Sequence, residues 1–119
     1  METLTLVLQV EAANAALADN LTDLLQRQLE YSVDDMVVDS EAVRPGSPWG
    51  AEFLLVSVFP PDMAVEFAQT LHAWLVRNPS ARLIISFGGA VSSSTSAGGV
   101  LKVVERALTR RPQGVRNSR

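Results

Sequence analysis

The segment Phe53-Leu54-Leu55-Val56-Ser57-Val58-Phe59 constrains this chain more than any other, because every residue in it except Ser57 is apolar. Successive side chains of a strand point to opposite faces. A run that is apolar at both parities therefore reads as a central strand covered on both sides. Gly50 and Pro60-Pro61 bound the run, and so short a segment between such breakers is a strand rather than a buried helix.

The rest of the chain supplies its neighbours. Thr3–Val10 alternates, with Leu4, Leu6, Leu8 and Val10 on one face and Thr3, Thr5, Val7 and Gln9 on the other. From Asn14 to Tyr31 the period lengthens: Leu17, Leu21, Leu24, Leu25 and Leu29 make a helical stripe, and Asp23 and Arg27 are spaced for a surface ion pair. A short strand is expected at Asp35–Asp39, followed by a loop through Pro45, Gly46, Pro48 and Gly50. Pro60-Pro61-Asp62 opens a second helix with the stripe Met63, Ala64, Phe67, Ala68, Leu71, Trp74 and Leu75, and Asn78-Pro79 stops it. Arg82–Phe87 is a fourth strand, Gly88–Gly99 reads as a Gly- and Ser-rich loop, and a last helix over Ala97–Arg110 buries Val100, Leu101, Val104, Ala107 and Leu108.

The order β-α-β-β-α-β-α contains two β-α-β units of similar length. Right-handed crossovers turn it into an α+β, ferredoxin-like sandwich: four antiparallel strands with two helices on one face, plus an additional C-terminal helix. A small open parallel sheet is the alternative. Residues 1–111 are expected to form one domain, as befits a chain of 119 residues, with residues 112–119 a mobile basic tail.

Charge and composition narrow the function. Residues 1–101 hold twelve acids against four arginines, whereas residues 102–119 hold six basic residues against Glu105. An acidic body repels phosphates, so nucleic acid is not the expected partner. There is no cysteine, which removes disulfides, thiolate metal sites and a thiol nucleophile, and suits a cytoplasmic protein. Glu2 stands where a signal peptide carries basic residues, and no run reaches the roughly 20 apolar residues of a membrane span.

No constellation for bond-making chemistry emerges, and no catalytic residue, metal or cofactor is expected. His72 is the one histidine, placed beside the buried stripe of the second helix, and has no second ligand or orienting carboxylate in its pattern. Asp34-Asp35, as strand neighbours, would point apart. Gly88–Gly99, between a strand and a helix, has the outline of a phosphate-binding turn. It lacks the Lys-Ser or Lys-Thr of a P-loop and the spacing of a dinucleotide fingerprint. A small-ligand or nucleotide sensor built on this loop is the second functional reading.

The first reading is a contact surface. Trp49 stands in a Pro/Gly loop and either folds back over the end of the sheet or is presented to a partner. Val65 and Val76 flank His72 on the outward side of the second helix, and Lys102, Arg106 and Arg110 recur every four residues on the last helix, ready for an acidic surface. These seven residues are the candidate partner-binding set.

The segments Pro45-Gly46-Ser47-Pro48-Trp49-Gly50-Ala51-Glu52-Phe53-Leu54-Leu55-Val56-Ser57-Val58 and Leu71-His72-Ala73-Trp74-Leu75-Val76-Arg77-Asn78-Pro79-Ser80-Ala81-Arg82-Leu83-Ile84-Ile85-Ser86 resemble the effector-associated constant component of the first type, a small actinobacterial domain. The likeness in patterning spans most of residues 3–110 and departs from the family at Gly88–Gly99. It implies a non-enzymatic adaptor of a bacterial conflict or defence system. Its partner would be an effector, often a caspase-like or trypsin-like peptidase, and self-association stays open.

Overall fold

Where the alternating and helical patterns meet a common core, they settle into nine elements among the described residues. The computed structural model describes residues 3–44, 48–87, 91–95 and 98–110. In chain order these are β1 (Leu4–Glu11), α1 (Ala15–Ser32), β2 (Val37–Ala42), β3 (Phe53–Phe59), a single 3-10 turn (Pro61–Met63), α2 (Ala64–Arg77), β4 (Arg82–Phe87), β5 (Val91–Thr95) and α3 (Val100–Arg110).

The strands form one antiparallel sheet in the order β2-β3-β1-β4-β5. Each helix crossover skips a strand: β1-α1-β2 spans β3, and β3-α2-β4 spans β1. This is the ferredoxin-like α+β plan expected from the sequence, with α3 appended and with one strand more. The fifth strand corrects the reading of Gly88–Gly99 as a loop throughout, since Val91–Thr95 pairs residue by residue with Leu83–Phe87. The three serines have little strand preference on their own, and the pairing with β4 decides the conformation. The flanking residues 88–90 and 96–97, and the tail from residue 111, lie outside the described residues.

Local signals set the boundaries. Asn14 caps α1, its Oδ1 accepting from the Leu17 N–H at 2.8 Å. Asp35 has φ 59°, a left-handed turn that delays β2 until Val37, two residues later than expected. Proline at the start of the 3-10 turn leads into α2, whose side at Ala64, Phe67, Ala68, Leu71, Trp74 and Leu75 is buried as its periodicity requires.

The core lies between the sheet and a single helix layer, in which α2 touches both α1 and α3. Leu4, Leu6, Leu8 and Val10 of β1 point into it with Leu55 and Phe59 of β3 and Leu83 and Ile85 of β4. Phe59 stacks on Phe67 with ring centroids 4.4 Å apart. Two stripe expectations need correction. On α1 the buried residues are Ala18, Thr22, Leu25 and Leu29, while Leu17 and Leu24 are exposed. On α3, Val100 and Val104 are buried, and Leu101 is 49% exposed. Both helices carry more apolar residues than one contact face can cover, so the direction of packing decides which of them are left in water.

Candidate interaction surface

The opening expectation for β3 also fails, and the surface follows from that failure. Leu55, Ser57 and Phe59 face the helices and are buried, whereas Leu54, Val56 and Val58 lie on the opposite face and are only half-buried. The three helices occupy one layer, so a strand patterned for two covers has received one.

The register assembles its neighbours. Val7 of β1 stands opposite Val56, which stands opposite Asp39 of β2; Thr5 stands opposite Val58, which stands opposite Val37. Gln9 pairs with Ile84 of β4, and Val7 with Ser86. The open face thus has an aliphatic centre of Val7, Leu54, Val56, Val58 and Ile84, half-buried, with Val37 exposed beside it. Its border toward β2 carries the exposed carboxylates of Asp39 and Glu41. Covering the remaining surface of each such side chain is worth roughly 1 kcal/mol, enough in sum to matter for a partner.

Trp49 belongs to one end of this face. The Ala12 N–H donates to the Trp49 carbonyl at 3.0 Å and the Ala51 N–H to the Val10 carbonyl at 2.8 Å, so the segment after the Pro/Gly loop is stitched to the end of β1. Gln9 Nε2 adds a bond to the Ala51 carbonyl at 2.9 Å. Trp49 is 53% exposed rather than folded back, and it lines a depression of about 200 Å³ with Glu11, Ala12, Ser80 and Arg82. Glu11 and Arg82 are themselves cross-strand partners.

The other candidates fall on the helix layer. Val65 and Val76 are exposed on α2, with His72 half-buried on the same flank. Lys102 and Arg106 are exposed on α3, and the side chain of Arg110 lies outside those described. The set read from the sequence is therefore spread over three elements. Sequence reasoning missed Val7, Leu54, Val56, Val58 and Ile84. The signal was available: a sheet with helices on one side alone should carry polar residues at alternate positions of β3, and this one does not. Among the described residues, no group of three or more His, Cys, Asp and Glu side chains could hold a metal ion, and no helix is long and apolar enough to cross a membrane.

By its architecture this is an α+β protein of ferredoxin-like fold. A de novo designed protein with a ferredoxin fold, solved in solution by NMR, is similar to it, with a TM-score of 0.51 and 14% identity over 81% of this chain and 93% of the other. A phage SAM lyase in complex with S-methyl-5'-thioadenosine aligns at a TM-score of 0.31 and 11% identity, over 78% of this chain and 89% of the other. No protein-family model and no curated protein sequence matches the chain.

Proposed function

We propose that this chain is a non-enzymatic adaptor that holds a partner protein on the open face of its sheet. One observation carries the reading: β3 is apolar on both faces, while the helices cover one. Aliphatic side chains kept half in water at the centre of a sheet are a standing driving force for association. Trp49 and Arg82, of the residue types that most often dominate binding energy, sit together at the end of the same surface. The acidic border at Asp39 and Glu41 favours a partner whose apolar patch is edged by basic residues.

The resemblance to the effector-associated constant component supplies the biological setting: a cytoplasmic bacterial conflict or defence system, with a peptidase-like effector as partner. The test is co-purification with the product of the neighbouring effector gene. Val56→Lys is expected to abolish the complex and Trp49→Ala to weaken it, with the melting temperature of each variant close to wild type. Val76→Glu, on α2, is expected to leave the complex intact. Retained binding by folded Val56→Lys, or loss confined to Val76→Glu, would overturn the sheet-face assignment.

A further inference from the structure

The apolar side chains of the open sheet face follow a diagonal across it. Val37 of β2 stands opposite Val58 of β3, Val56 opposite Val7 of β1, and Gln9, two residues on from Val7, opposite Ile84 of β4. The row from Val37 through Val58, Val56 and Val7 to Ile84 therefore moves along the strands as it crosses them. With strands about 4.8 Å apart and about 3.4 Å between residues, it is roughly 20 Å long. One flank carries the exposed carboxylates of Asp39 and Glu41, with Leu54 between Glu41 and the row. The other flank carries Thr5 and Ser86, which bear no charge.

We infer that an amphipathic helix of the partner lies along this row, with lysine or arginine on one flank alone. The inference rests on the sheet-face reading above and specifies its occupant. A helix is about 10 Å across and rises about 1.5 Å per residue, so about 13 residues cover the row and leave Asp39 and Glu41 hydrated at its rim. A second sheet would lie over the neighbouring strands as well, and would desolvate those carboxylates together with Glu11 and Arg82. The pattern of β3, apolar at both parities, is that of a strand with helices on both sides. Charge selects the flank. Asp39 and Glu41, two residues apart on one strand, are separated by about 7 Å. Helix residues four apart are separated by about 6 Å along the axis, so lysines or arginines at that spacing reach both. A second copy of this chain does not supply such a helix. Its α1, with Leu17 and Leu24 exposed, carries Asp19, Asp23 and Glu30 against Arg27 alone, and would bring acid to acid.

The probes are two stapled helical peptides of about 13 residues with the same leucine stripe, one flanked on one side by lysines four apart, the other by glutamates. The lysine peptide is expected to bind at least about tenfold more tightly, and to shift the amide resonances of Val7, Val56, Val58 and Ile84. Asp39→Asn combined with Glu41→Gln should bring the two affinities to within about twofold. Glu30→Gln with Glu66→Gln, exposed carboxylates of the helix layer, should leave the preference intact. Folded Val56→Lys should bind neither peptide. Equal binding of the two peptides, binding of neither, or a preference that survives the loss of both Asp39 and Glu41 would overturn the inference. If the peptides fail while the effector still co-purifies and is lost with Val56→Lys, the occupant is not a helix and the sheet-face reading stands. If folded Val56→Lys keeps the effector, that reading falls and this inference with it.

Discussion

Gln26 of α1 donates through Nε2 to the carbonyl of Val38 in β2 at 3.0 Å. A helix side chain thereby occupies a backbone acceptor of an outermost strand, the kind of group that otherwise invites pairing with another chain.

Gln26→Ala is expected to lower the unfolding free energy by about 1 kcal/mol, the usual net worth of one such bond. The measurement is a urea titration, with the midpoint falling and the slope unchanged. An unaltered midpoint would mean that water replaces the amide at no cost.

Ser57 is fully buried on the helix side of β3, and its Oγ has no hydrogen-bond partner. A desolvated hydroxyl without a partner is a net cost, so Ser57→Ala should raise stability by about 1 kcal/mol. Thermal melts of the two proteins decide it, and a lower melting temperature for the alanine variant would contradict the structure at this position.

The stacked pair Phe59 and Phe67, 4.4 Å apart with 23° between ring planes, joins the central sheet to α2. Both rings are fully buried. Phe67→Ala should cost about 3–5 kcal/mol and Phe67→Leu clearly less, since the cavity left behind is smaller. Chemical denaturation of both variants tests this ordering.

Asp35, at φ 59°, takes a conformation that strains side chains branched at Cβ and leaves glycine unstrained. Asp35→Val is expected to lose about 1–2 kcal/mol, whereas Asp35→Gly should match wild type or exceed it slightly. If valine were as stable as glycine there, the turn between α1 and β2 would have another geometry.

Much of this architecture is legible along the chain because the responsible forces are local or nearly so. The alternation of Leu4, Leu6, Leu8 and Val10 and the stripe from Ala64 to Leu75 follow from the geometry of a strand and a helix. Their order, under right-handed crossovers, leads to the ferredoxin-like plan. The candidate surface was less legible. Val65 and Val76 could be named as exposed, whereas Trp49 was open between folding back and presentation, and the apolar outer face of β3, visible in the sequence, was read as covered by a second layer.

Tertiary packing alone decided three things. It put α3 in the same layer as α1 and α2, which left Val7, Val56 and Val58 half-buried on an open face. It rotated α1 so that Ala18 and Thr22, not Leu17 and Leu24, meet the sheet. It also drew Val91–Thr95 into a fifth strand that its serines do not announce. The physical reason is common to all three. Periodicity says which residues share a face, but only the neighbouring elements determine which face is buried and which unpaired backbone finds an edge.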